Sequence, residues 1–117
     1  VKTAMNRAGA RAEDLCARLL AEAGLRILAR NWRCRVGELD LVAEDAGTLV
    51  FAEVRLRGSA SRGGAAESIT AAKQARIIAA ARAYLRGRPE VDCRFDVLLL
   101  DALERDRIEW IRNAFSA

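Results

Sequence analysis

Apolar residues near the start of the chain recur at the spacing of an amphipathic helix. Between residues 6 and 23 they lie three or four positions apart, which places them on one face of a helix. Gly24 then stands where a helix commonly ends in the left-handed conformation. A second helical pattern begins after Ser68, a residue type that caps helices, and runs to about Arg86, shortly before Pro89. The pattern therefore predicts two amphipathic helices.

Apolar runs, some of them alternating with polar residues, indicate strands in much of the remaining chain. Gly47 lies in the short segment "EDAG" between two such runs, where a hairpin turn needs a residue with positive φ. The last run fits an edge strand better than a short helix. The predicted strands occupy about 25–34, 37–44, 48–57, 93–101 and 106–115. In chain order the elements are αβββαββ, which predicts an α+β fold with a central mixed sheet flanked by helices.

The length of the chain favours one domain. A chain of 117 residues can bury a core by itself, so we expect a single domain over 1–117, with residues 1–8 as a flexible tail. No stretch of about 18 residues lacks a charge, which argues against a membrane-spanning helix. The N-terminal segment has no apolar run before a cleavage site, so we expect a cytoplasmic protein.

The chain contains three cysteines and no histidine. Cys16, Cys34 and Cys93 have no CxxC spacing, and a zinc site would lack histidine ligands, so we expect buried thiols in a reducing compartment. Without histidine, the Ser-His-Asp and Cys-His mechanisms of nucleophilic catalysis are excluded. Any catalysis would rest on carboxylates, Lys, Arg, Tyr, thiols or a metal ion.

Charge is distributed in blocks along the chain. Residues 1–36 carry eight basic and three acidic side chains, and residues 55–89 carry eight and one. Between them, residues 37–54 carry five acidic side chains and no basic one, while residues 90–117 carry seven acidic and four basic. An acidic block between basic ones suggests a cation site within a surface that binds a polyanion. The alternative is that folding intermixes the blocks.

Three carboxylates lie in the predicted hairpin "GELDLVAEDAGTLVFAEVRLR". Strand alternation places Glu38 and Asp40 on one face, with Leu39 and Leu41 on the other. Asp40 meets Glu53 if the turn has two or four residues, but not if it has three and no bulge. If the acids meet, their repulsion requires a cation, and hard oxygen ligands select Mg²⁺ or Mn²⁺. The alternative is a solvated polar face.

Several short motifs follow one another in a fixed order. They are Gly37-Glu38-Leu39-Asp40-Leu41-Val42, Phe51-Ala52-Glu53-Val54, Lys73-Gln74, Arg94-Phe95-Asp96 and Asn113-Ala114-Phe115. With these motifs the chain resembles the YraN-like family of small bacterial proteins over nearly its whole length, from about Gly9 to Phe115. The resemblance implies the restriction-endonuclease-like fold of the PD-(D/E)XK nuclease superfamily, whose similar relatives include archaeal Holliday junction resolvases.

The resemblance implies roles for individual acids. Asp40 takes the place of the superfamily's metal-binding Asp, and Glu53 takes the place of the acid in its E-x-K motif. Glu13 on the first helix matches a helical acid of the resolvase-like branch, although the helix dipole alone would also favour an acid there. Glu38 is a further candidate metal ligand beside Asp40. The cofactor would be Mg²⁺ or Mn²⁺, which in such sites holds the scissile phosphate and lowers the pKa of a bound water.

The chain departs from the motif at its lysine position, where "EVRLR" places Arg55. Arginine keeps the positive charge and suits phosphate oxygens, so Arg55 is a catalytic candidate with the two acids. It cannot deprotonate, and weakened or absent cleavage is the alternative. Arg57, Lys73 and Arg76 are candidates for binding nucleic acid, unless the two helical residues are simply a solvated face. Lys73 could also supply an ammonium from the second helix.

These observations support three functions of different classes. The first is a metal-dependent nuclease acting on DNA phosphodiesters, with branched or single-stranded DNA as the implied substrate. The second is a nucleic-acid-binding protein of the same fold whose centre is catalytically weakened. The third is an interaction protein that reuses the sheet. A homodimer would follow from the resemblance to resolvases or from the apolar segment around Trp110. We expect DNA, or another nucleic acid, as the partner, and no membrane.

Overall fold

The structure is a computed structural model, and it describes residues 4–56 and 69–117. In chain order its elements are helix α1 (Ala4–Glu22), strands β1 (Arg26–Cys34), β2 (Gly37–Asp45) and β3 (Thr48–Leu56), helix α2 (Ala71–Leu85), strand β4 (Cys93–Leu100), a short 3-10 helix (Arg105–Arg107) and strand β5 (Ile108–Phe115). The predicted order αβββαββ and the α+β class are confirmed. The last segment is an edge strand, as expected.

The strands of the described residues form one mixed sheet in the order β1-β2-β3-β4-β5. Neighbouring strands pair antiparallel, except for β3 and β4, which are parallel. A parallel pair needs a crossover connection, and α2 lies in the segment that joins β3 to β4. β3 is therefore the central strand of the sheet, between β2 and β4.

The two helices pack on opposite faces of the sheet. Phe51 and Ala52 are adjacent on β3 but belong to different apolar clusters, as expected of a strand buried on both faces. The cluster that contains Ala52 includes the α1 residues Ala12, Cys16 and Leu20. The cluster that contains Phe51 includes the α2 residues Ile77, Ala80, Ala81 and Tyr84. The prediction of a sheet flanked by helices is confirmed.

The turn between β2 and β3 has two residues, Ala46 and Gly47, with φ of 50° and 94°. Two positive φ values give the twist that joins two antiparallel strands closely. The register set by this turn pairs Asp45 with Thr48 and continues to Leu41 with Ala52. A turn of two residues was one of the turn lengths expected to place Asp40 and Glu53 on the same face of the hairpin, and this is the length observed.

The ends of the helices differ in part from the prediction. Thr70, and not Ser68, caps α2: its Oγ1 accepts a hydrogen bond of 3.1 Å from the backbone N–H of Lys73. Ser68 itself lies outside the described residues. α1 begins at Ala4, within the predicted tail 1–8, because the alanines of "AMNRAGARA" favour a helix over a coil.

The three thiols lie in different surroundings. Cys16 is buried on the face of α1 that packs on the sheet, and Cys34 is half-buried, whereas Cys93 is exposed. The prediction that all three are buried is wrong for Cys93, because this residue is the first of β4 and precedes the buried part of the strand. In the described part of the chain, neither helix is long and apolar enough to cross a membrane.

Gly37, the first residue of β2, lies directly against α2. A Cβ atom at this position would lie 2.9 Å from the backbone oxygen of Arg76 and 3.5 Å from the Cβ of Ala80. The backbone oxygen cannot rotate away as the end of a side chain would. The absence of a side chain at Gly37 therefore allows α2 to approach β2 closely.

We expect Gly37→Ala to lower the free energy of unfolding by about 1–3 kcal/mol, because the added methyl group pushes α2 away from the sheet. Urea denaturation followed by circular dichroism measures this change. Gly9→Ala is the matched control: a Cβ at Gly9 meets nothing within 4 Å, and alanine is the better helix former inside α1. Equal stability of the Gly37→Ala protein and the wild type would contradict the prediction.

Candidate active site

The alternation of faces along β2 is broken around Asp40. Leu39 and Val42 belong to the α2-side cluster, whereas Leu41 belongs to the α1-side cluster. The expectation that Leu39 and Leu41 share a face is therefore wrong. The regular pairing of β2 with β3 ends at Leu41 and Ala52. Next to this pair, a side chain contacts the backbone of β3 instead: Asp40 Oδ2 accepts a hydrogen bond of 3.0 Å from the backbone N–H of Val54.

Asp40 and Glu53 meet at this break, with their carboxyl groups within hydrogen-bond reach of each other. Only 5% of the surface of Glu53 is exposed. Burial, followed by the charge of Asp40, raises the pKa of Glu53 to about 8. Burial also raises the pKa of Asp40, although the hydrogen bond from Val54 acts in the opposite direction. The structure thus holds two carboxyl groups where their negative charges are poorly solvated.

Lys73, on helix α2, contributes a positive charge to this pair. It lies in the first turn of α2, and its Nζ is 3.3 Å from Glu53 Oε1. Its charge lowers the pKa of both acids, but less than burial raises them. With 36% of its side chain exposed, Lys73 reaches the acids and solvent at the same time.

The other two candidate acids lie near the pair but have partners of their own. Glu13 on α1 accepts a hydrogen bond of 2.9 Å from Asn31 Nδ2, and its pKa is raised chiefly by burial and also by Asp40. Glu38 lies 3.4 Å from Arg33 Nε. Among residues 4–56 and 69–117, no group of three or more acidic or thiol side chains is placed to hold a metal ion. The pair of Asp40 and Glu53 is therefore the centre of the site.

No sequence pattern predicted the part that Asn31 plays. This residue lies within β1 with a positive φ of 51°, and its side chain donates a hydrogen bond to Glu13. Asparagine is depleted in strands and enriched in the left-handed region, so an Asn inside an apolar strand pattern was the available signal.

The basic candidates are placed differently from one another. Arg55 is exposed near the end of β3, and its side chain has no hydrogen bond or ion pair with another described residue. Arg76 is exposed one turn after Lys73 on α2. Arg57 lies outside the described residues. Among residues 4–56 and 69–117, the positive charge brought to the acid pair is thus that of Lys73.

Asp96 forms a second polar centre, which holds β4 and β5 together. It is fully buried, and its carboxylate accepts hydrogen bonds from Trp110 Nε1 at 2.9 Å and from the backbone N–H of Asn113 at 3.0 Å. Arg94 Nε lies 3.1 Å and 3.2 Å from its two oxygens, and Arg94 Nη1 lies 2.9 Å from Asp45 Oδ2. The register of the two strands shifts at this point, where Asn113 has a φ of 53°. The Arg94 and Asp96 motifs are thus structural.

Comparison with known proteins places the chain in a family. The sequence profile of the Uncharacterised protein family UPF0102 matches residues 12–100, from α1 to the end of β4. The chain belongs to this family. UPF0102 proteins of Dechloromonas aromatica and Methylobacillus flagellatus are 51% and 49% identical to it, over 93% and 97% of this chain and 88% and 100% of their own. A UPF0102 protein of Ralstonia nicotianae is 57% identical over 92% of this chain and 85% of its own.

The UPF0102 assignment confirms the predicted YraN-like family. The matched segment includes both members of the acid pair, together with Glu13 on α1 and Lys73 on α2. It ends before β5, the strand that Asp96 ties to the sheet. The candidate site therefore lies within the part of the chain that defines the UPF0102 family.

Proposed function

We propose that this UPF0102 protein is a metal-dependent nuclease that hydrolyses phosphodiester bonds in DNA, with branched or single-stranded DNA as the preferred substrate. One observation carries the proposal: Asp40 and Glu53 meet in a buried place where both carboxyl groups have raised pKa values. Such a pair is unfavourable without a compensating cation and is often found where a site performs chemistry.

The donor set of this pair fits a small, hard divalent cation. Asp40 and Glu53 offer carboxylate oxygens and no soft ligand, which suits Mg²⁺ or Mn²⁺. Mg²⁺ commonly takes one or two protein carboxylates and completes its shell with water and substrate phosphates, so two acids suffice. When bound, such a metal polarises the phosphate and lowers the pKa of a water molecule.

The protein's own groups position the acids and attract the substrate. The N–H of Val54 fixes the carboxylate of Asp40, so that this ligand is oriented before any metal binds. Lys73 places one cationic group beside the acids. Two further basic side chains are exposed: Arg55 on β3, the strand of Glu53, and Arg76 on α2, the helix of Lys73. Exposed basic side chains around the acid pair would attract the phosphates of a nucleic acid. A metal ion held by the two acids would then contact the phosphate at the site.

A second function, binding of nucleic acid with weakened catalysis, is favoured by Arg55. This residue replaces the motif lysine and cannot act as a base. Binding that falls with rising salt, survives Glu53→Gln and is accompanied by no cleavage of any DNA would support this function instead. A gain of cleavage in Arg55→Lys would then show that the arginine had switched off the centre.

The nuclease proposal predicts that Glu53→Gln lowers cleavage at least 100-fold, because the amide cannot replace a carboxylate ligand. Wild type and variant are purified in parallel and incubated with Mg²⁺ or Mn²⁺ and with duplex, single-stranded and four-way-junction DNA. Glu90→Gln, an exposed position between α2 and β4, is the matched control. Equal cleavage by wild type and Glu53→Gln would mean that the activity comes from a contaminant. Absence of cleavage by both proteins would contradict the proposed nuclease function.

A further inference from the structure

In the part of the chain that the structure describes, the cation beside the acid pair does not come from the position that the nuclease motif gives to a lysine. Arg55 follows Glu53 by two residues on β3, yet its side chain is exposed and forms no ion pair with another described residue. The ammonium of Lys73 arrives instead from α2 and lies 3.3 Å from Glu53 Oε1. The acid therefore comes from β3 and the cation from α2, whereas the E-x-K motif places both on one strand.

We propose that Lys73 is the catalytic cation of this site, contacting the scissile phosphate from α2, and that Arg55 only helps to hold the DNA backbone. This inference rests on the nuclease function proposed above. It assigns to the helix a role that the E-x-K motif gives to the strand.

The start of α2 is fixed in place by three independent contacts. Thr70 caps the helix through the backbone N–H of Lys73 itself, at 3.1 Å. Gln74 Nε2 donates a hydrogen bond of 3.1 Å back to the carbonyl oxygen of Ile69, a buried residue just before the helix. The lack of a side chain at Gly37 lets the next turn of α2 rest against β2. Lys73 is therefore held at the acids by the backbone around it, and not by its ion pair alone.

The chemistry at Lys73 requires a group that stays positive. In phosphodiester hydrolysis a water oxygen bonds to phosphorus and gives up a proton to solvent, the bond to the leaving oxygen breaks, and the leaving oxygen takes up a proton from solvent. Negative charge grows on the non-bridging oxygens meanwhile. The three N–H donors of the Lys73 ammonium can contact a phosphate oxygen while they remain beside Glu53. Its partial exposure leaves one side open to the substrate.

The test separates catalysis from DNA binding and from metal binding. Cleavage is measured in a single turnover, with protein in saturating excess over DNA, for wild type, Lys73→Met and Lys73→Gln. Arg82→Met, at an exposed position further along α2, is the matched control. The affinity of each protein for Mn²⁺ without DNA is measured by electron paramagnetic resonance, and melting temperatures show that all variants are folded.

We expect both Lys73 variants to cleave at least 100-fold more slowly than wild type at saturation and to bind DNA within about threefold of its affinity. We also expect them to bind Mn²⁺ at least about threefold more tightly, because a positive charge beside Glu53 has been removed. This gain would show that the acid pair remains intact in the variants, so that slower cleavage reports the lost cation; a lysine that only holds the acids in place would weaken Mn²⁺ binding when removed. Saturated cleavage within threefold of wild type, or Mn²⁺ binding that is unchanged or weaker, overturns the role of Lys73 alone. Absence of cleavage by the wild type overturns the proposed function as well.

Discussion

Asp96→Ala is expected to lower the free energy of unfolding by about 3–5 kcal/mol, the range for breaking a buried charged pair. Asp96 is fully buried, and its removal leaves the indole N–H of Trp110, the backbone N–H of Asn113 and the Nε–H of Arg94 without their acceptor. Arg94 Nη2 is already buried without a hydrogen-bond partner among the described residues, and the loss of Asp96 would leave Asp45 as the acceptor for this guanidinium. Folded proteins are stable by only about 5–15 kcal/mol, so the variant should be close to unfolding.

Urea denaturation followed by tryptophan fluorescence measures this loss, with Trp110 as a local reporter. Asp45→Ala is the matched control because it removes one acceptor from Arg94 and leaves the carboxylate of Asp96 in place. Asp45 is partly exposed, so its loss should cost only about 1 kcal/mol. If Asp96→Ala unfolds within about 1 kcal/mol of the wild type, the tie between β4 and β5 does not depend on this residue.

The second large effect is on pH dependence: without divalent cations, we expect the protein to be about 2 kcal/mol more stable at pH 6 than at pH 8. Glu53 has a pKa of about 8 in the folded protein and an ordinary value of 4.5 when unfolded. Between these values the folded state holds a proton that the unfolded state has lost, so stability falls as pH rises, by about 1.4 kcal/mol per unit. The raised pKa of Asp40 acts in the same direction.

Chemical denaturation at several pH values tests this dependence. Glu53→Gln carries no charge at either pH, and we expect its stability to vary much less over the same window. Mn²⁺ added to the wild type should flatten the dependence, because the cation stabilises the ionised acids that protons otherwise neutralise. Identical slopes for wild type and Glu53→Gln would show that the pair of acids does not control the stability of this protein.

Much of the fold was predictable because its local signals agree with its tertiary structure. The apolar spacing before Gly24 and the glycine in "EDAG" predicted α1 and the β2–β3 turn, and both form as expected. The cap of α2 was misplaced because Ser68 and Thr70 are both good capping residues two positions apart. The break in β2 could not be predicted from an alternating pattern, since it depends on the contact of Asp40 with the backbone of Val54.

The candidate site was predictable only in part for the same reason. The turn length decided whether Asp40 would meet Glu53, and that length could be narrowed from the sequence but not fixed. The contact of Lys73 with Glu53 depends on how closely α2 approaches the sheet, which in turn depends on Gly37. The partners of Asp96 come from a strand whose register shifts, and no periodicity anticipates such a shift.

The two-residue turn at Ala46 and Gly47 bears on how the chain tolerates insertions. Both residues are exposed at a hairpin tip, the kind of place where added residues are usually harmless and where tags or fusions are often introduced. Here one extra residue, unless absorbed as a bulge, would slip the pairing and carry Asp40 to the face opposite Glu53. A change in length at this tip would thus disable the site as completely as replacing either acid, while every residue of the site kept its identity.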